Sequence, residues 1–162
     1  MSEKKQNNFQ IENKISDTLF CDIERACDGL IYISETDAPV LAFRGTAAND
    51  VTGKVIIQQT GAKEEGPVEE VAFDDFFDRL TAEKDWFSDA QKARAKKFLE
   101  LKELLEENLQ KLKVFRIGRI RIAIYIAGLA ADGCLMGVRA KTVETWYLFL
   151  RNAARTGYIF IF

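Results

Sequence analysis

Residues 114–126 read Val-Phe-Arg-Ile-Gly-Arg-Ile-Arg-Ile-Ala-Ile-Tyr-Ile, the strongest strand signal in the chain. After Gly118, Ile120, Ile122, Ile124 and Ile126 fall on one side, and Arg119, Arg121, Ala123 and Tyr125 on the other. Side chains in a strand alternate between the two faces of the sheet, so this pattern demands extended backbone. Before Gly118 the apolar phase is odd-numbered, at Phe115 and Ile117. A phase flip at a glycine predicts a bulge or sharp bend there. Gly128 to Gly133 turns the chain, and Leu135 to Thr145 returns as the partner strand.

Upstream, Ile15, Leu19, Phe20, Ile23, Cys27 and Leu30 recur at three- and four-residue spacing. That is one apolar helix face, with Asp22, Glu24 and Arg25 turned outward. Asp28-Gly29 signals a turn, and Pro39 disfavours helix at Ala38. Between these breaks Leu30 to Ile33 require burial, and Ser34 to Asp37 form a short loop presenting Glu35 and Asp37. On these residues alone the first reading is a solvated acidic loop, with a functional one as the alternative.

Val40–Phe43 then reads as a strand ended by Gly45, and residues 46–53 as a hairpin-like connection. Lys54-Val-Ile-Ile-Gln-Gln-Thr60 reads as a second strand, closed by Gly61. Residues 61–70, rich in Gly, Pro and Glu, are expected to form an exposed loop. Phe73, Phe76, Phe77 and Leu80 make a short amphipathic helix. Ser88 or Asp89 caps a long one, with Phe98, Leu101, Leu105, Leu109 and Leu112 as its core stripe.

Four strands in two antiparallel pairs, with helices before, between and beside them, give an α+β layered sandwich with a mainly antiparallel four-stranded sheet. The expected organisation is a disordered arm over 1–14, one domain over 15–145 and an apolar extension over 146–162. No stretch supplies the about 20 uninterrupted apolar residues of a membrane helix. The basic N-terminus has no apolar run behind it, so no secretory signal is expected.

The chain contains no histidine, and its three cysteines, Cys21, Cys27 and Cys134, match no metal-ligand spacing. Serine and cysteine triads, the commonest general base and the usual transition-metal ligand are thereby excluded. An enzyme is not expected, nor a cofactor or a metal site of the protein's own. Free thiols in apolar surroundings indicate a reducing cytoplasm. The net charge of −2 is unevenly laid out, because residues 20–80 hold 13 Asp or Glu against 5 Lys or Arg. Residues 81–145 reverse this, with 9 against 13. An acidic first half repels nucleic acid and favours a basic partner surface.

No glycine-rich phosphate loop is present. Adjacent carboxylates such as Asp74-Asp75 point about 100° apart on a helix and chelate poorly. Trp86, in a polar stretch beside Asp85, either plugs a helix corner or serves as an exposed interface anchor. Arg119 and Arg121 without stacking aromatics are weak evidence for nucleic-acid binding.

Seven segments together carry a family resemblance. They are Ala-Cys-Asp-Gly-Leu-Ile-Tyr-Ile-Ser-Glu (26–35), Ile-Gln-Gln-Thr-Gly (57–61), Phe-Asp-Asp-Phe-Phe (73–77), Asp-Trp-Phe (85–87), Val-Phe-Arg-Ile-Gly (114–118), Ile-Tyr-Ile (124–126) and Lys-Thr-Val-Glu-Thr (141–145). In this order, residues 20–145 resemble the nuclease A inhibitor family, proteins that block sugar-non-specific DNA/RNA endonucleases. The resemblance implies an α/β/α sandwich of the pathogenesis-related-protein type. It also implies an inhibitor that plugs the cleft of a metal-dependent nuclease, with Glu35 approaching the catalytic Mg²⁺ through its water shell. A carboxylate suits that task as a hard oxygen ligand. Asp85, Trp86 and Thr145 match the family's other contact positions.

Two features depart from the family pattern. The chain continues beyond Thr145 through Trp146 to Phe162, and Arg119, Arg121 and Ala123 stand where the inhibitors are acidic. These motivate a second reading, a non-inhibitory interaction module that self-associates through residues 146–162. The expected partner is a non-specific endonuclease, with no direct nucleic-acid binding and no membrane.

Overall fold

A computed structural model describes residues 2–34, 36–62 and 66–143, with residues 2–13 as backbone only. Helix α1 spans Ser2–Cys27, so helical backbone begins well ahead of Ile15 and takes in the residues expected as an arm. Strands β1 (Ile31–Tyr32) and β2 (Ala38–Pro39) follow, then β3 (Leu41–Ala47), α2 (Gly53–Thr60) and β4 (Val68–Val71). Helices α3 (Phe73–Thr81) and α4 (Asp89–Asn108) lead into β5 (Gln110–Ile117), β6 (Arg121–Leu129) and β7 (Cys134–Val143). The class is α+β, as expected.

The main sheet has five antiparallel strands, ordered β3-β7-β6-β5-β4, and β1 with β2 forms a separate small ladder. This corrects the four-stranded expectation in three places. Residues 54–60 are helix, not strand. Their β-branched Val-Ile-Ile favours extended backbone only weakly, and local context overrides that preference. Thr52 caps the helix start by accepting from the Val55 N–H, and Gly61, at φ 66°, ends it in the left-handed conformation. Those two caps, with Ile56 fully buried, decide the segment.

Residues 68–71 form a strand rather than the end of a loop, paired with β5 from Val68↔Ile117 to Val71↔Val114. The pairing covers an edge that β5 would otherwise leave open. Residues 114–126 do not make one bent strand, because Gly118 reverses the chain completely and Ile117 pairs with Ala123. Gly118 has φ 120°, and a Cβ there would lie 2.1 Å from the Arg121 carbonyl oxygen. Only glycine fits so tight a reversal. Ile120 consequently sits in the turn, 47% exposed, instead of on the core face.

Both faces of the sheet carry a buried cluster, which the alternation of β6 makes visible. Ile122, Ile124 and Ile126 pack with Leu19 and Ile23 of α1, Phe77 of α3, and Phe98, Leu101 and Leu105 of α4. Tyr125, Ala127 and Leu129 pack on the opposite face with Ile56 of α2, Phe43, Phe115 and Leu135. Each fully buried side chain of this size contributes about 1.5–3 kcal/mol. The α4 stripe ends at the C-cap Leu109, so Leu112 belongs to β5 rather than to the helix. The start of α4 is a capping box, in which Ser88 Oγ accepts from Gln91 N–H and Gln91 Oε1 accepts from Ser88 N–H.

Candidate functional site

The loop at 33–37 is carried on the shortest possible ladder, Ile31↔Pro39 and Tyr32↔Ala38. Its foundations follow from the Asp28-Gly29 turn. Gly29 takes φ 68°, Leu30 N–H donates to the Cys27 carbonyl at 3.0 Å, and Val40 N–H donates to Leu30 at 2.9 Å. Leu30 and Val40 are both buried, so the loop stands on core residues. The Ser34 hydroxyl donates to the Thr36 carbonyl at 2.7 Å, while Thr36 N–H points back to Ser34 Oγ at 3.3 Å. Position 35 is thus bracketed by a self-braced turn. Glu35 itself lies outside the described residues.

Asp85 and Trp86 form the turn between α3 and α4, and both are exposed. Trp86 is 76% exposed, so it does not plug a helix corner. Phe87 packs edge-on to its ring with centroids 6.4 Å apart, and Lys84 Nζ stands 5.1 Å over the ring. Phe87 N–H donates to the Lys84 carbonyl at 2.9 Å, which closes the turn just before the α4 capping box. A large aromatic left exposed to water is the kind of side chain that anchors interfaces.

Thr145 lies outside the described residues, as does the extension 146–162; β7 is described as far as Val143. Thr36 follows Glu35 in the chain, and Val143 stands two residues before Thr145. Thr36 and Val143 both border one cavity of about 550 Å³ on the α2 side of the sheet. The Asp85–Trp86 turn does not line that cavity, but the topology puts it at the same end of the domain. Helix α4 reaches β5 through Leu109 alone and packs Phe98, Leu101 and Leu105 onto the sheet. It therefore runs back toward the end of β5 at which Ile117 lies.

The same end carries apolar side chains that sequence reasoning missed. Ile33 on the β1–β2 loop and Ile120 in the β5–β6 turn are 46% and 47% exposed. Their exposure had no signal in hydropathy, since both sit in strongly apolar stretches. Arg139 and Lys141 were also missed, although two cations two residues apart on a strand must share a face. Among the described residues no group of three or more Cys, Asp or Glu is arranged to hold a metal ion. No described helix is long and apolar enough to cross a membrane.

The domain thus brings a braced loop, an exposed tryptophan and two exposed isoleucines toward one end of an α+β fold. The model of the nuclease A inhibitor-like family, NuiA, matches residues 17–145, and the chain belongs to that family. Membership points to a nuclease-inhibitor role with a protein partner. Among curated proteins, none matches the chain.

Proposed function

We propose that this protein inhibits a metal-dependent, sugar-non-specific nuclease by inserting the 33–37 loop into its active-site cleft. The observation that carries the reading is the bracing of that loop, with Ser34 and Thr36 bonded across position 35 on a ladder rooted in Leu30 and Val40. A preorganised loop spends little of its binding energy on ordering. The Glu35 carboxylate approaches the nuclease's Mg²⁺ through the metal's water shell, as a hard oxygen acceptor in place of a phosphate oxygen. Asp85 and Trp86 contact the rim of the cleft, and Thr145 approaches from the end of β7.

The test is a titration of a sugar-non-specific Mg²⁺ nuclease with the full chain and with Glu35→Ala. Stoichiometric inhibition by the first, weakened about tenfold or more in the second, is the expected result. Equal inhibition by both removes Glu35 from the mechanism.

A second reading, an interaction module that kept the fold and associates through residues 146–162, is favoured by one observation. Arg119 and Arg121 are exposed at the site end, where the inhibitors carry acidic residues. Light scattering separates the two readings: self-association that vanishes on deleting 146–162, without nuclease inhibition, supports the module.

A further inference from the structure

Beside the 33–37 loop, the face of the sheet that α2 leaves open is a positively charged groove. Its floor is Ala123 and the buried Tyr125, and its walls carry Arg121, Arg139 and Lys141. Helix α2 ends at Thr60, and Gly61 and Ala62 border the groove at that side. A second, smaller cavity of about 290 Å³ continues it past Arg139 and Lys141 to Leu41, which is exposed.

The sheet register explains why these cations crowd together. Arg139 lies opposite Tyr125, Lys141 opposite Ala123, and Arg121 opposite Val143. Arg139 and Lys141 are two apart on one face of β7, and Arg121 is the diagonal neighbour of Lys141. Like charges so placed repel one another. All three are exposed, and none forms an ion pair with another described residue. No described Asp or Glu lines either cavity. The C-terminal end of α2 offers only about half a negative charge, too little to offset three cations. Thr142, 2% exposed, borders the same groove, and its hydroxyl has no hydrogen-bond partner among the described residues.

We infer that this groove receives an acidic segment of the partner protein, and that Arg121, Arg139 and Lys141 set the choice of partner. The inference rests on the inhibitor reading and adds the chemistry of the partner's rim, acidic where it faces β6 and β7. Charge complementarity of this kind governs partner choice and association rate. A nucleic acid fits the groove less well. Tyr125 is buried to 6% exposure and offers no stacking face. The chain's own extension fits less well too, since Arg151 and Arg155 are its only charged side chains.

Fluorescence anisotropy tests this without any nuclease, so its result is independent of the inhibition assay. The full chain is titrated against a labelled oligoglutamate peptide and a labelled oligothymidylate at low salt. A triple variant, Arg121→Glu with Arg139→Glu and Lys141→Glu, is compared with a control reversing Lys92 and Lys96 on α4. The peptide should bind the wild type and the control alike, about tenfold or more tighter than the triple variant, and weaken with salt. Substituting Gln for the three cations reports the same loss if charge reversal prevents folding. Equal peptide binding by the triple variant and the control, no binding to the wild type, or tighter binding of the oligothymidylate through the same residues overturns the proposal.

Discussion

The rings of Tyr32 and Phe76 lie parallel, with planes 2° apart and centroids 6.2 Å apart. Through this contact the short β1–β2 ladder leans on α3, whose Phe76 also packs edge-on against Phe77 at 5.7 Å. Phe77 is fully buried, so the loop that presents position 35 is tied to the core by two rings in succession. Tyr32→Ala should therefore cost about 1–2 kcal/mol of stability and weaken nuclease inhibition by a larger factor. Hydrogen exchange at the Val40 amide, which closes the ladder, should accelerate. Unchanged exchange would mean that the ladder stands without the stack.

Trp86 presents the opposite balance. At 76% exposure its loss leaves folding nearly untouched, within about 0.5 kcal/mol. Its removal from an interface should cost about 2 kcal/mol of binding. Calorimetry of Trp86→Ala with the inhibited nuclease, beside its denaturation midpoint, separates the two effects. A binding loss matched by an equal stability loss would make Trp86 a structural residue.

Gly118 tests the reversal at the β5–β6 turn. A Cβ at 2.1 Å from the Arg121 carbonyl, on backbone at φ 120°, cannot be accommodated without moving the turn. Gly118→Ala should destabilise the fold by roughly 2 kcal/mol, read from the urea midpoint at unchanged slope. A neutral outcome would show that the turn relaxes freely.

The cysteines predict a response to alkali. Burial first, and then the charge of Glu24, push the Cys27 thiol from 9.0 up to about 12. Because the folded state holds this proton more tightly, stability is complete below pH 9 and falls as pH rises toward 12. Cys27→Ala should flatten that alkaline loss. Under native conditions the exposed Cys21 should react first with a thiol reagent, and Cys27 only on unfolding.

At the opposite end of β7, Asp132 predicts a response to acid. Burial alone raises this carboxyl, but the neighbouring Ser16 hydroxyl, the Cys134 N–H at 3.0 Å and the charge of Arg44 outweigh it and hold it below 3.8. The folded state binds this proton less tightly, so its contribution is present above about pH 3.8 and lost as pH falls further. Asp132→Asn should be less stable than the wild type at neutral pH and equal to it in strong acid. A difference that persists in acid would assign the effect to shape rather than charge.

Local patterns in the chain were enough to establish the Leu19–Cys27 face of α1, the stripe of α4 as far as Leu109, the Ser88 cap, the β6–β7 pair and the loop at Ser34–Asp37. In each, the burial period or the capping chemistry is written within a few residues. But Ile15, expected on the α1 core face, is 54% exposed. Seven ordered segments were enough to establish the family. The helix at 53–60 was not legible, because Val-Ile-Ile favours a strand until Thr52 and Gly61 cap it over the Phe43–Leu135 face. The strand at 68–71 was hidden for a related reason, since Val-Glu-Glu-Val becomes a strand only beside β5. Glu35, Asp85, Trp86 and Thr145 are candidates that the family resemblance supplies, and the sequence alone does not tell which described residues lie beside one another. That Thr36 and Val143 border one groove, walled by Arg121, Arg139 and Lys141, depends on strands far apart in the chain meeting in register. A sequence records the period of each strand, and only tertiary pairing decides which faces those periods bring together.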